Sequence, residues 1–187
     1  RIAVYLDEAT GMIDRLMSLR RRQMELLREQ RAALIQQAVT RGLNPRAPLK
    51  DSGLPWLGQI PAHWEVFQLK RLLSRIEYGI SERVDIEGTF VCLRMGDVNE
   101  GEISFDNAAY VNAVEEELLL NEGDLLFNRT NSLEQVGKVA IFRGHPNKQV
   151  TFASYLVRLR ATTESDAEFL NYLLNSTPIL AWARSEA

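Results

Sequence analysis

A chain of 187 residues, 45% hydrophobic and 25% charged, holds one domain of ordinary size plus one extended element. No apolar run is long enough to cross a bilayer, and no disorder-like tract interrupts the chain. A single cysteine, Cys92, excludes an internal disulfide and fits a reducing compartment, so a cytoplasmic setting is expected.

Net charge, −3 overall, is unevenly spread. Residues 1–46 carry nine Lys/Arg against five Asp/Glu, a net of +4, and residues 47–187 carry thirteen against twenty, a net of −7. An acidic body binds nucleic acid only if its cations are gathered on one face and its acids are held elsewhere.

The first element runs from Ile2 to Thr40 without a proline and with Gly11 as its only glycine. Apolar residues recur every seven positions in two adjacent rows, Tyr5, Met12, Leu19, Leu26, Ala33 and Leu6, Ile13, Arg20, Leu27, Leu34. A third row, Ile2, Ala9, Leu16, turns polar at Gln23, Gln30 and Gln37. This spacing predicts one helix about 57 Å long that packs lengthwise on other helices, with Leu6, Ile13, Leu16, Leu27 and Leu34 as partner-packing positions. Arg20 in the seam and the glutamine row suit a partner offering carboxylates or amides. A long surface helix lying on its own domain is the competing arrangement. Opening at Arg1 inside a helical pattern predicts a fragment of something longer.

Gly42 and Pro45 end the helix near Arg41. Residues 43–66 read as a linker followed by an ordered lead-in, in which Trp56 and Trp64 are packing anchors and His63 a packed loop residue. Gln68–Leu73 predicts a short amphipathic helix before a strand near Arg75–Tyr78. Further strands are expected at Thr89–Arg94, Leu125–Arg129, Val139–Phe142 and Tyr155–Arg160, the last with one face ending polar. Ser165-Asp166-Ala167-Glu168 has the pattern of a capping box, and Thr177-Pro178 of a second helix start.

Three stretches resemble the specificity subunits of type I restriction–modification systems. Leu54-Pro55-Trp56-Leu57-Gly58-Gln59-Ile60-Pro61-Ala62-His63-Trp64-Glu65-Val66 looks like the opening of a target-recognition domain in that family. Tyr5-Leu6-Asp7 through Gly42-Leu43 resembles its central conserved helix, and Gly123–Ser132 continuing to Val136-Gly137-Lys138 is the third match. The resemblance covers most of the chain in the family's order. It implies a first conserved helix followed by the second recognition domain, with the first recognition domain absent and the second conserved helix not reached.

The expected fold is therefore α+β: a long coiled-coil-type helix (1–42), a linker and lead-in (43–66), and a mixed α/β target-recognition domain with a twisted sheet (67–187), truncated at its C-terminal end. The implied partners are double-stranded DNA and the methyltransferase and restriction subunits, with a homodimer through the long helix as a further arrangement. The implied role is to direct those subunits to one half of a bipartite site.

For DNA contact the residues themselves offer Asn128-Arg129-Thr130-Asn131-Ser132 with Lys138, between two strands. Arg presents a planar fork to guanine or phosphate, Asn can bridge adenine, and Ser or Thr can hold phosphate oxygens. Turn stabilisation by Asn128, Asn131 and Ser132 competes with contact. Arg129 and Lys138 lead the candidates, with Asn131 and Ser132 in the same loop; Arg94 and Arg83 follow. Arg143 and Lys148 flank His145 as surface cations.

Little supports catalysis. Two histidines and one cysteine without ligand spacing predict no metal, and no phosphate-binding loop or dinucleotide fingerprint predicts no cofactor. Glu115-Glu116-Glu117 reads as a solvated acidic face. A nuclease would gather carboxylates around Mg²⁺; Asp97, Glu100 and Glu102 come nearest, in a Gly/Asn-rich turn. The alternative from another class is a protein–protein scaffold built on the helical stem, without DNA binding.

Overall fold

The computed structural model describes residues 1–99, 101–129 and 135–185. Helix α1 spans Ile2–Arg41, forty residues or about 60 Å at 1.5 Å per residue. Ala, Leu, Met, Arg, Gln and Glu dominate it, all strong helix formers. Only Val39 and Thr40 are buried. The seam positions stand bare, with Leu6 53%, Ile13 56%, Leu16 56%, Leu27 56% and Leu34 60% exposed. A helix with its apolar rows in water gains nothing there from tertiary packing, so intrinsic propensity carries it.

Gly11 is the weak point of that helix, since nothing lies within 4 Å of where its Cβ would be. Gly11→Ala is expected to stabilise the N-terminal third of α1 by about 1 kcal/mol. Slower amide hydrogen exchange from Tyr5 to Leu16 would show it; unchanged exchange would refute it.

The helix stops at Gly42, whose φ of 74° and ψ of −177° belong to a region open mainly to glycine. Its N–H still reaches Ala38 O at 3.0 Å. A Cβ there would lie 3.4 Å from Pro61 and 3.5 Å from the Trp64 ring, so the chain turns tightly against the lead-in. The lead-in is a small antiparallel pair, β1 (Leu49–Asp51) and β2 (Gln59–Pro61). Trp64 meets Phe169 edge-on at 6.0 Å and Trp56 stacks on Trp182 at 5.8 Å, so both tryptophans pack as anchors. His63 is exposed instead of packed, with its ring at the edge of Trp64.

Residues 68–73 do not form the expected helix. One 3-10 turn, Leu69–Arg71, gives way at Leu73 to strand β3 (Leu73–Tyr78). Six residues offer too few helical bonds to offset nucleation, and pairing with a neighbouring strand takes Leu73. There follow β4 (Phe90–Leu93), the 3-10 turn Met95–Asp97, β5 (Val98–Asn99), β6 (Glu102–Ile103), β7 (Ala109–Val111) and the 3-10 turn Glu116–Leu118. Strands β8 (Leu125–Asn128), β9 (Val139–Ile141), β10 (Val150–Phe152) and β11 (Leu156–Ala161) precede helices α2 (Ala167–Leu174) and α3 (Thr177–Ser185).

The main sheet has the order β3-β11-β8-β9 and is antiparallel throughout. A second sheet, β10-β4-β7, is mixed, because β10 runs parallel to β4. Strand alternation divides the core. Leu126, Ala140 and Leu156 face Val91, Leu93, Val150 and Phe152 of the second sheet. Leu125, Val139, Ile141, Val157 and Leu159 face Leu170 and Leu174 of α2. The architecture is α+β, a long helix leading into a sheet-rich domain with short helices.

Helix α2 starts one residue later than the capping-box pattern predicts. Asp166 is the N-cap and accepts from Phe169 N–H at 3.0 Å, while Ser165 bonds Thr162 and Glu168 turns away to Arg143. An aspartate competes well with serine for this role, and its charge suits the positive end of the helix.

The polar face of β11 is also not what local alternation predicts. Arg158 is fully buried. Its guanidinium pairs with Glu77, lies 3.8 Å from Asp124, and donates to the carbonyls of Leu119 and Glu117 at 2.8 and 2.6 Å. Arg160 forks onto Asp124 at 2.6 and 2.8 Å. Cys92 is buried in the second sheet, and burial pushes its thiol up to about 11, so almost no thiolate forms at neutral pH.

Candidate nucleic-acid interface

The β8–β9 connection carries the loop singled out above. Its two strands are closed by Asn128 N–H to Lys138 O at 2.8 Å and Gly137 N–H to Asn128 O at 2.9 Å. Asn128 is fully buried, so its side chain belongs to the fold and not to the surface. Asn131 and Ser132 lie outside the described residues. Arg129 emerges exposed from the end of β8, with its guanidinium carbon 4.8 Å from the centre of the Tyr78 ring. At the other end of the loop the Lys138 ammonium sits 3.5 Å from Asn99 Oδ1, at the tip of the β5–β6 hairpin.

The loop's second leg is fastened by one face of α2. Asn175 treats Val139 as a neighbouring strand would, accepting from its N–H at 3.2 Å and donating to its carbonyl at 2.9 Å. One helical turn earlier, the buried Asn171 donates to Gly101 O at 3.0 Å. Gly101 in turn receives Ile141 N–H and donates to Val139 O, so hairpin, strand and helix are locked together next to Lys138. Asn171→Ala should cost about 1 kcal/mol, because the Gly101 carbonyl is left with only the longer bond from Ile141 N–H. Urea unfolding checks the cost; a midpoint equal to wild type would remove the asparagine from this role.

The other candidates differ in how far their charge is already used. Arg94 donates to Asn107 O at 2.6 Å, and its backbone N–H bonds Asp97. Burial raises the Asp97 carboxyl, against the lowering effect of its bond from Arg94. Arg83 is exposed in the 79–89 loop, and no hydrogen bond or ion pair ties it to another described residue. Arg143 forks onto Glu168 at 2.8 and 2.9 Å and reaches Glu102 at 2.5 Å; those bonds hold its pKa above the ordinary arginine value despite partial burial. Lys148 bonds Gly88 O at 2.7 Å and lies over Tyr110. Among the described residues, Arg129 thus keeps an uncommitted fork on a fixed aromatic support.

Of the three carboxylates nearest to a nuclease pattern, Asp97 is buried against Arg94, Glu102 is paired with Arg143, and Glu100 lies outside the described residues. Among the described residues no cluster of His, Cys, Asp and Glu could hold a metal ion. No described helix is long and apolar enough to cross a membrane.

Tyr78, Asn99, Asn171 and Asn175 are absent from the sequence-based candidates. The asparagine pair did leave a signal, two amides four residues apart on a helix otherwise marked by Leu170 and Leu174. Tyr78 gave only that of an aromatic residue on a strand.

No family model matches the chain. The MjaX specificity subunit assigned to a type I restriction enzyme of Methanocaldococcus jannaschii is 29% identical over 123 residues, 63% of this chain and 29% of that protein. The EcoKI type I restriction enzyme specificity subunit of Escherichia coli K12 is 24% identical over 182 residues, 94% of this chain and 37% of that protein. The chain therefore spans about a third of the length of these relatives. Among solved structures, the HsdS subunit from Thermoanaerobacter tengcongensis has a TM-score of 0.57 at 17% identity, covering 94% of this chain and 40% of that one. A chain from a structural study of type I restriction–modification complex assembly and conformational transition gives 0.50 at 17% identity, over 90% and 40%. Sequence and fold lead to one family: over most of its length, this chain is similar to the specificity subunits of type I restriction enzymes.

Proposed function

We propose that the chain recognises a DNA sequence as the specificity component of a type I restriction–modification complex. It directs methyltransferase and restriction subunits to one half of a bipartite site and performs no bond chemistry itself. In this reading residues 1–42 are a spacer, 43–66 fix the spacer to the reader, and 67–187 are the reader. Leu6, Ile13, Leu16, Leu27 and Leu34 take a partner helix, and the family's two-helix plan, or a second copy of the chain, would provide it.

The observation that carries the reading is Arg129, an exposed guanidinium on an aromatic ring with no carboxylate partner among the described residues. Most other cations of the body are engaged within the fold, which answers how an acidic domain can present positive charge locally. Phosphate contacts would orient the domain, and a few side chains would read base edges.

The test is selection of bound duplexes from a random pool, by the chain alone and with the methyltransferase subunit, followed by a salt titration. A DNA reader enriches a sequence and loses affinity steeply as salt rises, in proportion to the phosphates neutralised. Absence of any duplex binding in both settings would leave the stem-based scaffold as the surviving function. Mg²⁺-dependent cleavage by the chain alone would overturn the non-catalytic role.

A further inference from the structure

Strand β3 lies at the edge of the main sheet, and its outer residues are unusual for an edge. Ile76 and Tyr78 are 55% and 59% exposed, although both sit on the sheet face that elsewhere forms the core under α2. The register explains their position. Tyr78 is opposite Val157, and Val157 is opposite Phe127, so the three form a row across three strands. Arg129 follows Phe127 by two residues, which returns its side chain to the same face. Its guanidinium then lies over the Tyr78 ring.

An unsupported arginine carries rotamer freedom that must be lost on binding. A ring beneath the guanidinium removes part of that freedom beforehand, without using any of its N–H donors. A carboxylate partner would fix the side chain equally well but would occupy the fork and cancel the charge. The other well-held arginines of the body are held in that second way or by carbonyls: Arg143 by Glu168, Arg160 by Asp124, Arg94 by Asn107. Arg158 also lies over a ring, Phe152, at 5.6 Å, but it is buried and paired with Glu77, whereas Arg129 combines a π face with an exposed guanidinium.

We infer that Tyr78 is a positioning residue for DNA recognition, holding the Arg129 guanidinium so that its edge meets two acceptors side by side on duplex DNA. The inference rests on the DNA-reading function proposed above. Two sources present that acceptor pair, guanine O6 and N7 in the major groove and the oxygens of one phosphate.

A double-mutant cycle tests it, with duplex affinity measured across salt for wild type, Tyr78→Phe, Tyr78→Leu, Arg129→Ala and the Tyr78→Leu/Arg129→Ala pair, in the chain with its methyltransferase subunit. Tyr78→Phe keeps the π face and should bind as wild type. Tyr78→Leu keeps apolar bulk without the π face and should weaken binding about 3- to 10-fold. In the Arg129→Ala background the same change should do nothing further. If Arg129 reads guanine, Tyr78→Leu and Arg129→Ala relax the same selected position; if it holds phosphate, both weaken all sequences alike and the salt slope falls by about one in Arg129→Ala.

Wild-type affinity in Tyr78→Leu overturns the inference while leaving DNA reading intact, provided Arg129→Ala weakens binding. Equal weakening by Tyr78→Leu with and without Arg129 also overturns it, because Tyr78 would then touch DNA independently. Failure of the unsubstituted chain to bind duplex refutes the function itself, a separate result. Proton NMR of the free chain supplies a check independent of any variant. The Arg129 δ-protons should be shifted upfield by the Tyr78 ring, and random-coil shifts would overturn the stack.

Discussion

Arg158→Ala is expected to destabilise the domain by about 3–5 kcal/mol, enough to unfold a typical domain of this size at moderate temperature. The arginine is fully buried and joins elements far apart in sequence: Glu77 on β3, Asp124 just before β8, and the carbonyls of Glu117 in the 3-10 turn and of Leu119 just after it. Removing it takes the donor from two carbonyls and the closest partner from Glu77. Arg160 would still fork onto Asp124, which limits the loss to part of the network. Arg158→Met, which fills the space but carries no charge, should also be destabilising, because the carbonyls of Glu117 and Leu119 lose their donor. Urea unfolding of the three proteins checks the order wild type, Met, Ala; a Met variant as stable as wild type would show the network to be dispensable.

The same network gives the fold an acid limit. Burial pulls the Glu77 carboxyl up, but the hydrogen bond and charge of Arg158, aided by Arg75 and Arg160, outweigh it and hold the pKa below its ordinary value. The unfolded chain then binds that proton more readily than the folded one. Glu77 therefore contributes fully above the ordinary glutamate range, and the contribution is lost as pH falls through the depressed folded value. Glu77→Gln should flatten this part of the stability profile, and an identical acid limb in the variant would exclude Glu77 as its source.

Arg129→Ala is expected to weaken duplex binding about 5- to 150-fold, the range of one bidentate contact worth about 1–3 kcal/mol. Melting temperature should barely move, since the side chain is exposed and meets only Tyr78 among the described residues. Arg143→Ala is the natural comparison. It removes the same formal charge, but one already neutralised by Glu168 and Glu102, so its effect on binding should be several-fold smaller. Equal losses in the two variants would mean that net charge, not a placed guanidinium, governs affinity. Unchanged affinity in Arg129→Ala would remove that residue from the interface.

Strands β4, β8 and β9 fall inside the apolar runs that predicted them, and β11 overruns its own by one residue, because alternation and β-branched content are local properties. Helix α1 is legible for a similar reason: forty residues repeat one pattern, and Gly42 supplies its end. What was hidden depends on partners distant in sequence. Val150–Phe152 is a strand because Phe90–Leu93 lies parallel beside it, some sixty residues away. Arg158 looks like the polar side of a strand until Glu77 and Asp124 are known to face it. The cap of α2 moved from Ser165 to Asp166 because Glu168, which a capping box would use, is drawn to Arg143.

The candidate site was partly legible in the same sense. Arg129 and Lys138 flank the loop that the sequence marked out, and Asn128 proved to be a buried member of the fold. Arg94 stands out in sequence as a charge at a strand end, but its guanidinium donates to Asn107 O, thirteen residues on. Composition gives the number of cations; three-dimensional partners decide which of them remain available.

Helix α1 is gripped only at its foot, around Val39, Gly42 and Trp64, and projects unsupported for most of its length. That makes it a lever. Over about 60 Å, a tilt of about 5° at the foot carries the tip about 5 Å sideways, or one and a half base-pair steps of about 3.4 Å each. In the proposed complex a partner at the far end would set the angular tolerance, and stiffness at the Gly42 corner would matter as much as stiffness of the rod.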